Sequence, residues 1–580
     1  MSLDSAPYTA QSRTEHKSRA EVRGFRRATA LAWILMAVPF VAYGVWIPVT
    51  RALGLTGGPG ALLVILSCVA AALGGGLVRP SPPGWALLMG AGMASGLCGG
   101  MTEAALLHCG VLLASWFATQ RLVDSMTASL PTGLDDVRGW RFALWAVGIL
   151  VSVLQVARVA VFMADPSFAI GNLIPGDHAV ARHSCLSAYL HGALLATEGA
   201  NPYDLKYDTL ALGPDAPLPH SAAFISPFTL DAFAYSPAFL LLPMALRSVS
   251  TDFLIDRALF AAGSMVIWSL CLWWLLTYLD HAARRRVVWL APLFTAGTTV
   301  LLNLQFCNFN LVLVAMCAAV WMQLERGQDS RAGLVLAAAT LTRYSPGLLG
   351  VIMLVQRRYR AIGWTVAWAV GLVLLSLMTV GAGPWKWFVT YELPILRAGR
   401  ALGFLDGDPF VAQNLAPFGI PFKLQRLGLE HFGWAQASLV DSVYTALIIL
   451  AAYIAGRRSG PAAQRLISWL AIAGLASLKS SFAGAHVIPN VALLLLILAT
   501  ELKMPRQVVV FVLLILLASV PLNSDSVALE QGYSLFSQAV LLIVLFWAAV
   551  RRPVRVLSVS HTPSLADEPG SSTGLGAQVH

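Results

Sequence analysis

The sequence predicts an all-α polytopic membrane protein. Three observations lead there. The 580 residues are 57% hydrophobic and only 12% charged, with mean hydropathy +0.70, whereas a soluble domain carries about 25% charge. Apolar runs of roughly 17–25 residues recur along the chain, the length that crosses a bilayer as a helix. No stretch is both polar enough and long enough to form a soluble domain. The formal charge of +10 needs no nucleic-acid partner, because much of it lies in short loops where Arg and Lys fix membrane topology. Cys68, Cys98, Cys109, Cys271, Cys307 and Cys317 fall in or beside apolar segments without metal-ligand spacing. Cys185 is the one loop cysteine, so no disulfide framework is expected.

Taken in order, residues 1–27 are polar, with Arg13, Lys17, Arg19, Arg23, Arg26 and Arg27 ahead of the first apolar run. That pattern puts the N-terminal tail in the cytoplasm. The long charged leader lacks a small-residue cleavage site and does not read as a cleaved signal peptide. About sixteen spans are expected by length and flanks. The first four fill 28–140: one near 28–48, one near 61–77, and a hairpin within 84–118 that Gly99-Gly100 breaks, followed by a cytoplasmic 119–140. The main transmembrane domain, 141–550, opens with a fifth span near 141–163. A sixth is expected at about 232–248 and an eleventh at about 361–381, with a Ser-, Pro- and Gly-rich disordered cytoplasmic tail over 551–580.

This parity puts a long polar segment, from Asp165 to about Pro237, on the external face. The basic clusters at 357–360, 457–458, 503–506 and 551–552 then fall on the cytoplasmic side. Arg284-Arg285-Arg286 lands outside, so the rule is broken there or an element between 229 and 355 is re-entrant. Pro346 is placed to divide 331–355 into two short helices. Further external segments follow at about 382–437, where Trp385 and Trp387 suit the headgroup level, and near 479–486. The sum is a multi-pass integral protein of the plasma (inner) membrane with both termini cytoplasmic.

The first external segment concentrates groups that move protons or grip polar ligands: Asp177, His183, Tyr189, His191, Tyr203 and Lys206 among them. Residues 178–198 read as one amphipathic helix, with Leu186, Leu190, Ala193 and Leu194 at helical spacing. Asp177 follows Pro175-Gly176 at the N-cap position. Two readings of it stand side by side: a cap that accepts orphan N–H groups, and a general base. His183 and His191, two turns apart, read as polar helix-face histidines before a metal pair. Arg343 lies within an apolar stretch, where a buried charge marks a binding site or an ion pair.

These residues and their order resemble the GT-C superfamily of membrane glycosyltransferases, and within it glycosyltransferase family 87. The motifs in sequence are Asp177, Tyr189 and Gly199-Ala200-Asn201-Pro202-Tyr203; Tyr235-Ser236-Pro237; Gln305 with Asn308 or Asn310; Arg343 ahead of Pro346; Asn414 with Gly419; and His486. Arg343 stands where the family carries Lys, which keeps the charge and changes the hydrogen-bond geometry. The resemblance covers about 160–500 and implies a GT-C-like bundle of about 16 transmembrane helices with a long first catalytic external loop. It implies Asp177 as catalytic base on an acceptor hydroxyl, with Arg343, Tyr203, Lys386, His486 and Asn414 binding the donor and His183 and Tyr189 the acceptor. It further implies a polyprenyl-phosphate sugar donor (mannose or related), a glycolipid or glycan acceptor in the cell envelope, inversion by direct displacement, and neither metal nor cofactor.

Two other classes compete. A transporter or flippase of a lipid-linked or small polar substrate would show paired inverted repeats with charged, broken helices at the midplane. Here no repeat pairs with the polar loop. A non-catalytic scaffold in envelope assembly would tolerate loss of Asp177.

Overall fold

The computed structural model describes residues 8–52, 65–73, 105–130, 140–175, 177–207, 217–400, 408–458, 460–501 and 526–551. Every regular element among them is helical. Six helices are long and apolar enough to cross a membrane: Arg26–Pro48, Trp140–Ala164, Phe253–Tyr278, Tyr359–Val380, Trp434–Gly456 and Val527–Val550. A seventh crossing is made if His281–Thr295 and Thr298–Gln305, bent by 49° at their junction, form one span. Among the described residues six or seven such spans are found, where the sequence led to an expectation of about sixteen over the whole chain. Many apolar runs fold instead into pieces such as Cys185–Thr197, Pro237–Val249, Asn310–Glu325 and Ser345–Val355. At 1.5 Å per residue such pieces reach only about 15–25 Å, short of a hydrocarbon core of about 30 Å.

Local chemistry explains the boundaries. Trp140–Ala164 stops at Asp165-Pro166, where Pro166 has no N–H to continue the ladder. Phe253–Leu275 starts on Asp252, whose carboxylate accepts from Leu254 N at 2.8 Å and Ile255 N at 3.3 Å. The chain turns at its far end, and Arg284 Nε returns to donate to the Leu276 carbonyl at 2.8 Å. This Arg of the 284–286 cluster is therefore a helix C-terminal cap. Pro346 does divide its stretch, into Asp329–Thr342 and Leu349–Val355.

Two sequence expectations are corrected, at 178–198 and at the sixth span. Residues 178–198 are not one helix but two, His178–Arg182 and Cys185–Thr197, and the second is buried almost all round rather than amphipathic. Within the stretch 119–140, the residues as far as Ser129 belong to the helix Ala105–Ser129; the hairpin break at 99–100 lies outside the described residues. The expected sixth span holds a turn at Pro237–Leu240 and a short helix, Leu241–Val249. The residues from Tyr8 onward are helical and continuous with the first apolar helix, within Tyr8–Ala52, of which Arg26–Pro48 is the part long and apolar enough to cross a membrane.

Candidate active site

The site is built where the 178–198 stretch breaks. Asp177 caps His178–Arg182 by accepting from Val180 N at 3.0 Å. The helix ends because the Arg182 carbonyl is taken by Thr229 N at 2.9 Å instead of by a following helical N–H. Cys185 N then donates to the Phe306 carbonyl at 2.8 Å, which fixes the start of the next helix. His183 projects from this break. Its Nδ1 lies 3.2 Å from Asp231 Oδ1, its Nε2 lies 3.4 Å from Cys185 Sγ, and its ring meets Phe306 edge-on at 4.3 Å. His486 stands 6.2 Å away, ring to ring.

Beside the histidines runs a layer of tyrosines ending on a guanidinium. Tyr189 and Tyr235 share a hydroxyl–hydroxyl bond of 2.9 Å. Tyr203 Oη donates to the Tyr235 carbonyl at 3.0 Å. Arg343 Nη2 donates to Tyr235 Oη at 3.4 Å, with its guanidinium 5.5 Å from that ring's centre. The Ser236 hydroxyl donates to the Leu341 carbonyl, which ties the Tyr235-Ser236-Pro237 turn to the end of Asp329–Thr342 and presents Arg343 to Tyr235. Among the described residues no carboxylate pairs with Arg343.

The two imidazoles are shifted in opposite directions. Burial opposes charge on His183, but Asp231 and Cys185 outweigh it and hold the imidazole well above its ordinary range. Burial, and then the charges of His183 and Arg343, push His486 well below it.

The structure thus brings together His183, Tyr189, Tyr203, Arg343 and His486. Asp177 is tied into a neighbouring set of bonds: Asn172 Nδ2 donates to the Asp177 carbonyl at 3.1 Å, and Gln305 Nε2 donates to Asn172 Oδ1 at 2.7 Å, Gln305 being next in sequence to the Phe306 that touches His183. The Asp177 cap uses one carboxylate oxygen, and the other has no protein partner among the described residues. Lys386 is exposed on Ala382–Trp387, and no contact joins its side chain to this cluster. Asn414 is a clamp. Its Oδ1 accepts from Ala416 N and Ala483 N, both at 3.0 Å, and its Nδ2 donates to the Ser481 carbonyl at 2.8 Å. It acts on His486 by holding the loop that delivers it. His191 does not face His183; it bonds Ser221 Oγ at 3.0 Å.

Sequence reasoning missed Asp231 and Cys185 as members of the site, and named Asn308 only as one of two choices for the motif residue after Gln305. Asp231 sits between Leu230 and Ala232, ahead of Tyr235-Ser236-Pro237. A lone carboxylate in so apolar a stretch was the available signal.

Residues 233–481 match the model of glycosyltransferase family 87. The chain resembles that family, and the match indicates a glycosyltransferase, as the long apolar helices indicate a membrane protein. The matched region holds Tyr235 and Arg343, begins two residues after Asp231 and ends five before His486. No curated protein and no solved structure matches the chain.

Proposed function

We propose that the protein transfers a sugar from a polyprenyl-phosphate donor to a hydroxyl of a glycolipid or glycan at the external face of the plasma membrane. The observation that carries this is Arg343: a guanidinium over the Tyr235 ring, in a region of apolar helices, with no carboxylate among the described residues to neutralise it. A planar fork of donors suits a phosphate, and a prenyl chain is a substrate that apolar helices admit.

The chemistry follows from the charges. Asp177 takes the acceptor's proton on the oxygen its cap leaves free, and the acceptor oxygen forms a bond to the anomeric carbon from the face opposite the phosphate. The bond from that carbon to the phosphate oxygen breaks, its electron pair leaves with the polyprenyl phosphate, and the configuration inverts. Arg343 stabilises the negative charge that grows on the leaving phosphate. Tyr189 and Tyr235 back the Arg343 guanidinium, and His486 stands beside His183 on the loop that Asn414 clamps.

The test is a panel of radiolabelled polyprenyl-phosphate sugars given to purified full chain in detergent. Label is expected to move to acceptor with wild type and to fall at least a hundredfold with Asp177→Asn, which removes a general base worth about 10²–10⁴ in rate. Loss of the cap costs at most about 1 kcal/mol of stability, so the variant should still purify normally. Activity retained in Asp177→Asn overturns the assignment of the base. Incorporation from none of the donors favours the transporter reading.

A further inference from the structure

We propose that His183, Cys185 and Asp231 form a binding site for a thiophilic divalent cation of the zinc class. One donor atom from each of the three lies within 4.8 Å of the other two, and no other such group occurs among the described residues. A tetrahedral ion with bonds of about 2.0–2.3 Å holds its ligand atoms about 3.3–3.7 Å apart. The 3.4 Å between His183 Nε2 and Cys185 Sγ already has that spacing, whereas Asp231 Oδ1 faces the ring's other nitrogen, Nδ1, at 3.2 Å and has to swing toward an ion held on Nε2. The widest separation needs a closure of about 1 Å. A thiolate, an imidazole and one carboxylate select zinc or cobalt over magnesium or calcium, which prefer all-oxygen shells.

The surroundings support the donors as a built site. Asn308 Nδ2 donates to Cys185 Sγ at 3.0 Å, the kind of contact that steadies a thiolate. Asp231 N meets Ser187 Oγ at 3.4 Å, and Thr229 N holds the Arg182 carbonyl at 2.9 Å, so the segments bearing Asp231 and His183 are stitched together through backbone. The break between the two helices is what places residues 183 and 185 together; in a continuous helix, side chains two apart point to different faces. Three protein ligands leave a fourth position for water or a substrate oxygen.

The inference does not depend on which sugar or acceptor is used, and its test reads no activity. Full-length protein in detergent is stripped with a chelator, freed of it, and titrated with Co²⁺. The expected result is one equivalent bound, with a near-ultraviolet thiolate-to-cobalt band that Zn²⁺ abolishes. Cys185→Ser should lose that band, and Asp231→Asn should weaken binding at least tenfold. In parallel, Zn²⁺ should raise the thermal midpoint of stripped wild type and leave Cys185→Ser unmoved, a shift that follows from binding to the native state alone. A wild type without the band, or a band that survives Cys185→Ser, overturns the proposal.

Discussion

Glu392 carries the least compensated carboxyl in the segment that follows the Tyr359–Val380 span. It is 2% exposed, and its Oε1 finds no hydrogen-bond partner among the described residues. Burial pushes its pKa from 4.5 to about 8. The folded chain therefore keeps this proton between pH of about 4 and about 8, where the unfolded chain has released it, so stability falls as pH rises through that window. Glu392→Gln removes the titration. The thermal midpoint of wild type should drop between pH 5 and pH 8, the slope should be shallower in the variant, and the variant should be the more stable protein at pH 8. Equal slopes would remove Glu392 as the source. The same scale shows what the sequence could disclose about the site. Asp177 was legible because a cap is a local device, set by the turn before it. Arg343 was legible because charge is rare in apolar runs. The meeting of Asp231 with His183 was not, since it depends on Thr229 taking the Arg182 carbonyl, a contact 47 residues apart in sequence.

Among elements, the close crossing of Asp329–Thr342 with Tyr359–Val380 decides how firmly Arg343 is held. A Cβ on Gly333 would stand 2.7 Å from Trp364 Cβ and 2.8 Å from Thr365 N. Both are anchored to the neighbouring helix, so the helices would have to part. Helices in lipid associate through such close packing at small residues, and overpacking costs about 1–3 kcal/mol. Gly333→Ala should lower the thermal midpoint by several degrees. Gly371→Ala, on the partner helix, meets nothing within 4 Å and should be neutral or raise the midpoint slightly. If the two variants behave alike, the crossing is not as tight as described. Long spans such as Trp140–Ala164 and Tyr359–Val380 were readable because length and hydropathy alone specify them. The short apolar helices were not readable as short. Asn303 and Gln305 lie buried in or at the ends of apolar runs, and their polar groups are served mainly by tertiary partners, as when Asn303 Nδ2 donates to the His486 carbonyl at 2.7 Å and Gln305 Nε2 to Asn172 Oδ1 at 2.7 Å. Such breaks are tolerated at membrane depth where protein covers the backbone, a condition that no local pattern records.

At the level of the whole molecule, the first helix is not an appendage to a catalytic body. Trp33 Nε1 donates to the Val288 carbonyl at 2.7 Å, and Phe40, Tyr43 and Trp46 are buried. A Cβ on Gly44 would come within 2.3 Å of Ala262 Cβ, so this helix lies directly against Phe253–Leu275. That second helix carries Arg257, fully buried, which donates to the Met163 carbonyl at 3.0 Å and the Gln305 carbonyl at 2.9 Å. Gln305 in turn holds Asn172, and Asn172 holds the backbone of Asp177. A continuous path of packing and hydrogen bonds therefore runs from the first helix to the candidate base. Removing residues 1–52 strips the cover from Phe253–Leu275 and frees Arg257 and its partners to shift. The truncated chain should fail to run as a single species on size exclusion in detergent, and co-expression of residues 1–52 as a separate helix should restore the species, since the lost contacts are non-covalent. A truncated chain that purifies as one species with the thermal midpoint of the full protein would make the first helix dispensable, and with it the coupling traced here.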